Sequence, residues 1–209
     1  MSKNSEYINP AIVELPAVMI VVGRRKSGKT RLLVRMLLDD KFLKGKFDRI
    51  VVVSPTFLLD GNWSCISTDG LEVHTSYDDD FMGELIDCQK QNGAEDSVCV
   101  ILDDCVTEGT KTENIDTLAT NGRHLNVTLI YLTQKITSVS TTVRSNFDQI
   151  IHFYSSSKRE RQNLNQDVDI PEEVFLYSTK DPYTFLNAIN RGGAIQLYKC
   201  FSEKISFEG

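Results

Sequence analysis

At 209 residues and 41% hydrophobic, the chain is long enough to bury one sizeable core, and a single domain is its simplest organisation. Its 23 Lys and Arg against 29 Asp and Glu leave a net charge of −6. That balance excludes a protein coated in positive charge for nucleic acid, and it leaves room for one that touches DNA along a narrow strip. No apolar run approaches the roughly eighteen residues of a membrane span.

Residues 1–16, MSKNSEYINPAIVELP, lack the basic start and apolar centre of a signal peptide, so an intracellular protein is expected. Polar and carrying two prolines, they read as an extended arm ahead of one domain over 17–209. The five cysteines (Cys65, Cys88, Cys99, Cys105, Cys200) contain no C-x-x-C pair, which favours free thiols over disulfides or zinc. His74, His124 and His152 are far apart and form no ligand cluster.

The stretch AVMIVVGRRKSGKTRLLVRMLL, Ala17 to Leu38, organises the rest. An apolar strand runs into Gly23, Arg24, Arg25, Lys26, Ser27, Gly28, Lys29 and Thr30, the G-x-x-x-x-G-K-T form of a P-loop, and a helix follows with Leu32, Leu33, Met36 and Leu37 on its inner face. In that context the loop amides and the helix N-terminus offer partial positive charge to a phosphate chain. Lys29 adds a full charge near the outer phosphates, and Thr30 a hydroxyl for Mg²⁺. Residues Gly23 to Arg31 are therefore the candidate nucleotide-binding segment. Arg24 and Arg25 would bind phosphate or contact a neighbouring subunit.

RIVVVSP places a second buried strand over Ile50 to Val53, ending at a Ser-Pro turn. Strands alternating with helices predict a mostly parallel sheet covered on both faces, with ligands beyond the strands' carboxyl ends. Thr56 to Ser76 has no clear pattern, although LEVHTS suits a short edge strand. Asp78, Asp79 and Asp80 then start a helix, where acids favour the helix dipole.

The next apolar run, Val98 to Leu102, delivers Asp103 and Asp104 at its carboxyl end, where a Walker B acid is needed. Asp103 is the candidate metal ligand with Thr30, and Asp104 the group that orients or deprotonates the attacking water. Thr107 to Arg123 reads as polar and partly helical. Val127 to Leu132 is a further strand, tipped by Thr133 and Gln134. If that strand lies between the P-loop and Walker B strands, the Gln134 amide stands beside the γ-phosphate and its water. A fifth strand, Ile150 to Phe153, precedes a polar helix, a helix opening at Pro171, and a C-terminal hairpin around Arg191, Gly192 and Gly193.

GRRKSGKT, IVVVSPTF, VILDDC, NGRHLNVTLIYLTQK and TTVRSNFDQIIHF, in this order, resemble the viral DNA-packaging ATPases of the poxvirus type, within the FtsK/HerA superfamily. The resemblance spans Val18 to Ser155 and implies a RecA-like core in a ring of five or six subunits. Such a ring hydrolyses ATP with Mg²⁺ to drive double-stranded DNA into a preformed capsid, in contact with capsid or portal vertex proteins at cytoplasmic assembly sites. By the family pattern Lys29 and Thr30 match the Walker A lysine and hydroxyl, Asp103 and Asp104 the Walker B pair, and Gln134 the sensor glutamine. The Asp-Asp pair departs from the commoner Asp-Glu.

A ring motor also needs a cation crossing from the next subunit, for which Arg123 and Arg144 are the candidates, each with an intramolecular salt bridge as its alternative. Thr56 to Ser76 and Thr137 to Ser145 are the candidate DNA-contacting loops. Two other functions fit a P-loop chain of this size: a nucleoside-type small-molecule kinase, and an assembly protein in which ATP only fixes a ring.

Overall fold

The computed structural model describes residues 11–66, 70–105 and 112–206, so expectations for 1–10, for 67–69 within Thr56 to Ser76, and for 106–111 at the start of the Thr107 to Arg123 segment lie outside the described residues. The strands are β1 Val18–Val22, β2 Arg49–Val53, β3 Leu71–His74, β4 Val98–Asp103, β5 Val127–Thr133, β6 Gln149–Phe153, β7 Phe185–Arg191, β8 Ala194–Lys199 and β9 Glu203–Ile205. The helices are α1 Lys29–Leu38, α2 Asp79–Gln91, α3 Glu113–Asn121, α4 Thr141–Ser145, α5 Lys158–Val168 and α6 Glu172–Ser178.

Among the described residues the strands form one sheet in the order β3-β2-β4-β5-β1-β6-β7-β8-β9. Pairing from β3 through β6 is parallel, and β7, β8 and β9 extend the sheet antiparallel. This is the α/β arrangement expected from the alternation of patterns, with the C-terminal hairpin joined edge-on to β6 and LEVH at the opposite edge. β5 lies between β4 and β1, as the argument for Gln134 requires.

The run VMIVV is apolar at every position because both faces of β1 are covered. Val18, Ile20 and Val22 pack toward the side holding Met82, Leu118, Val143 and Phe175 of α2, α3, α4 and α6. Met19 and Val21 pack toward Leu33, Met36, Phe57 and Trp63. α1 buries Lys29, Leu33, Val34, Met36 and Leu37. Val34 thus replaces the predicted Leu32, which is only partly covered at the flank of the helix. β4 and β5 each run one residue beyond the predicted end, since parallel pairing continues through Asp103 with Leu132 and Val22 with Thr133.

Residues 11–16 lie against this chain's own sheet. The Ala11 carbonyl accepts from Asn187 Nδ2 at 2.8 Å and Gln149 Nε2 at 3.3 Å, and Ala11 and Ile12 are buried. All five cysteines are free thiols. Burial raises two of them, Cys105 to about 12, so neither is a thiolate at neutral pH.

His152 sits on β6 beside β1, wholly enclosed, with its ring edge-on to Phe175 at 5.0 Å. Its Nδ1 lies 2.6 Å from the Phe153 carbonyl, and Nε2 has no hydrogen-bond partner. Burial pushes its pKa down to about 4, so the folded protein holds the ring neutral. The unfolded chain takes up a proton near pH 6.5 while the folded one waits until about 4, so stability falls as pH drops through that window. His152→Phe, which fills the same space without a titrating group, should lose less stability than wild type between pH 7 and pH 5; urea unfolding midpoints at the two pH values measure this.

Candidate active site

The helices differ at their starts. α2, α3, α4 and α5 are capped by the side chains of Asp78, Thr112, Ser140 and Ser157, whereas α1, beginning at Gly28, and the short α6, beginning at Pro171, have no side-chain cap. The first amides of α1 face outward from the loop after β1, at the carboxyl end of the parallel strands, so they are donors left for an anion. The loop needs unusual backbone angles to wrap one: Gly28 has φ 103° and Lys26 φ 64°, both left-handed. At Gly23 a β-carbon would meet Ser27 Oγ at 2.5 Å and Phe153 Cβ at 2.9 Å, so only glycine fits between the loop and β6.

Three strand tips are laced together around this loop. The Gly23 amide donates to the Thr133 carbonyl at 3.0 Å, and the Asp104 amide to the Leu132 carbonyl at 3.1 Å. The second bond turns the chain at Asp104, whose φ of 50° sends its side chain away from the line of β4. Asp103 and Asp104 consequently have separate surroundings, as two adjacent acids with different tasks would require.

Asp103 is buried at the strand end, where its Oδ2 accepts from Trp63 Nε1 at 3.2 Å and from Ser54 Oγ at 3.5 Å. Burial drives its pKa up to about 6, with the Trp63 bond opposing. Lys29 is buried too, donating to the Arg24 carbonyl at 3.4 Å. Burial pulls its pKa below the usual lysine range, while the charges of Asp104, Asp103 and Asp60 pull it back.

Gln134 is exposed beyond the tip of β5, and its Nε2 donates to Asp104 Oδ2 at 3.4 Å. The structure thus brings Lys29, Asp103, Asp104 and Gln134 to one end of three adjacent strands. Two buried oxygens here lack any partner, Ser27 Oγ and Asp104 Oδ1. Orphaned polar atoms beside a phosphate loop fit a site completed by its ligand.

The residues also fit Mg²⁺. The described residues hold no cluster of three or more His, Cys, Asp or Glu, and Mg²⁺ bound with a nucleotide needs none, since phosphate oxygens and waters supply most of its ligands. Thr30 at the start of α1 and Asp103 at the end of β4 are the residues that would hold it.

The candidate arginines lie elsewhere. Arg123 forms an ion pair with Asp148, whose other oxygen accepts the Val18 amide at 2.8 Å, which locates the pair at the amino end of β1, opposite the P-loop. Its intramolecular alternative is therefore realised, with the Arg123 side chain still 71% exposed. Arg144 is on α4, just before the amino end of β6, with its guanidinium 3.5 Å from Thr141 Oγ1. Arg24, Arg25, Lys26 and Arg31 are exposed around the loop, and Arg24 bonds to Ser156 Oγ.

Sequence reasoning left Trp63, Ser54 and Asp60 without a role. Ser54 sits at the end of β2, beside β4, a position readable from the strand pattern. Trp63 arrives on a short 3-10 turn, Trp63–Cys65, inside a segment with no periodic pattern. Stacking on Phe57 at 5.3 Å holds its ring.

The family model described as the poxvirus A32 protein matches residues 4–176. No curated protein sequence matches the chain significantly. Among solved structures, B204, the DNA-packaging ATPase from Sulfolobus turreted icosahedral virus, has a TM-score of 0.66 at 20% identity, covering 92% of this chain and 99% of that one. The genome packaging NTPase B204 from Sulfolobus turreted icosahedral virus 2, in complex with AMP, also gives 0.66 at 20% identity, with 88% of this chain and 97% of that one covered. EssC ATPases 2 and 3 from Geobacillus thermodenitrificans give 0.57 at 16% identity, over 88% of this chain and 40% of that one. At these identities the likeness establishes the fold.

Trp63 is the sole tryptophan and donates to Asp103, so its emission should respond to changes at that carboxylate. Adding Mg²⁺ with a non-hydrolysable ATP analogue should change that emission. Because protonation of Asp103 competes with the cation, affinity should fall more steeply from pH 7 to pH 5 in wild type than in Asp103→Asn, where only the ligand's own phosphate titrates. Titrating both proteins by fluorescence at the two pH values decides this.

Proposed function

This chain belongs to the family of the poxvirus A32 protein, and we propose that it is an ATP-hydrolysing motor that moves double-stranded DNA into a preformed viral capsid as an oligomeric ring. One observation carries the catalytic part of this reading: Lys29, Asp103, Asp104 and Gln134 meet at the carboxyl tips of β1, β4 and β5.

In this reading the uncapped start of α1 and the loop amides hold the β- and γ-phosphates, and Lys29 balances their charge. Thr30 and Asp103 would hold Mg²⁺, which would supply positive charge to the phosphate oxygens. Asp104 accepts a proton from water through its unpaired Oδ1 while Gln134, tethered to Oδ2, keeps that carboxylate aimed and donates toward the γ-phosphate. The acceptor is water, so no pocket for a second organic substrate is required.

For the ring, the exposed Arg123 at the far end of the sheet is the better of the two cations to reach a neighbour's γ-phosphate, with Asp148 holding its side chain in place. DNA contact by Thr56 to Ser76 is not favoured, because that segment has no Lys or Arg. Leu58 and Leu59, 84% and 86% exposed on its turn, suit contact with protein, either another subunit or the capsid vertex. Assembly at such a vertex puts the protein in the host-cell cytoplasm.

Phosphate release from ATP tests this, with and without linear double-stranded DNA. Wild type should turn over ATP with stimulation by DNA. Asp104→Asn and Gln134→Ala should bind ATP and lose on the order of a hundredfold or more in turnover, whereas Lys29→Ala should lose binding as well. Turnover that is indifferent to DNA and appears only with an added nucleoside acceptor would overturn the proposal in favour of a kinase, and full function in Asp104→Asn would favour an assembly role.

A further inference from the structure

Tyr183 stands out twice in the C-terminal part of the chain. It has a left-handed backbone, φ 63°, which a bulky residue adopts only under constraint, and 71% of it is exposed. The turn that fixes it is closed by the Thr184 amide and hydroxyl, both donating to the Asp181 carbonyl at 3.2 Å and 2.8 Å. The ring is placed against the P-loop: a β-carbon on Gly28 would lie 3.4 Å from Tyr183 Cδ1 and 3.9 Å from Phe153 Cε1.

Beside the ring is a cleft of about 280 Å³, lined by Gly28, Arg31, Leu32, Arg35, Phe153, Tyr183 and Phe185. Phe153 and Phe185, 5.2 Å apart, are buried in its floor. Arg31 and Arg35 are a turn apart on the exposed side of α1. One wall is thus an aromatic face, the floor is apolar, and the rim is cationic. Gly28 belongs to both this cleft and the phosphate loop, so a group bound here is continuous with a phosphate chain bound there.

We propose that this cleft takes the nucleobase and ribose of the nucleoside triphosphate, with the base stacked on Tyr183. The inference rests on the P-loop reading above and adds the subsite that makes the site one for nucleotides rather than for any polyphosphate. A flat heteroaromatic ring has a face to lay on Tyr183 and a face for a guanidinium, and burying it over Leu32, Phe153 and Phe185 removes apolar area from water. This accounts for Leu32, the apolar position of α1 that the core leaves partly uncovered, and for the strained turn at Tyr183. Tyr183 and Phe185 lie beyond the 4–176 span of the family model, and the other residues of the cleft lie within it.

The test compares Mg²⁺·ATP with Mg²⁺·tripolyphosphate, which has the phosphates and no base, by calorimetry on wild type, Tyr183→Phe, Tyr183→Ala and Lys29→Ala. Tyr183→Ala should weaken ATP binding about tenfold, the scale of one lost base stack, and leave tripolyphosphate affinity unchanged, which also reports an intact loop. Tyr183→Phe should bind both as wild type does, and Lys29→Ala should weaken both. Wild-type ATP affinity in Tyr183→Ala, or equal loss of ATP and tripolyphosphate, would overturn the base subsite while leaving the P-loop reading in place. A wild-type protein that binds neither ligand would overturn the P-loop reading, and the subsite with it.

Discussion

A lysine and an aspartate kept partly dry at the same strand tips are the constraint on which this site depends. Burial penalises the charge of Lys29 and of Asp103 alike, lowering one pKa and raising the other. Neither is fully paid off within the protein, because the polar contacts present are few and long: an Arg24 carbonyl for Lys29, an indole and a hydroxyl for Asp103. A phosphate chain bound with a cation would supply charges of both signs together. The proposed ligand is of that kind, and removing water from the site would strengthen each of those interactions.

The rest of the fold holds that arrangement in place. Parallel pairing of β4, β5 and β1 sets three tips side by side, and amide bonds from Gly23 and Asp104 to the end of β5 fix where each loop leaves the sheet. α1 presents uncapped amides at the loop after β1, where α2, α3, α4 and α5 each spend a side chain on their own starts. The other end is closed differently, by Asp148 accepting from both Arg123 and the Val18 amide. The candidate phosphate site and the exposed Arg123 thus stand at opposite ends of the same strands.

Much of this was legible in the sequence where the signal was local. Buried parallel strands are unbroken apolar runs, so β1, β2, β4, β5 and β6 were found to within a residue or so, and the acids at the end of VILDDC fell where the loop required them. The position of β5 between β4 and β1 was needed for Gln134 and is present in the sheet order. What stayed hidden depends on tertiary contact. Trp63 reaches Asp103 from a turn with no period to read, and 40 residues separate them. Tyr183 touches the P-loop from more than 150 positions away, and its strained φ leaves no mark on composition. Leu32 looked like core because its residue type matched the helix pattern, and only packing reveals that it borders a cleft.

The central claim is that chemistry at these strand tips drives motion along DNA, and displacement of a fluorescent third strand from a linear duplex tests it most directly. With ATP and wild-type protein, release of the third strand should follow a lag that lengthens with its distance from the duplex end, and Asp104→Asn should give none. Rapid ATP turnover with no displacement, or displacement whose timing ignores that distance, would contradict the account.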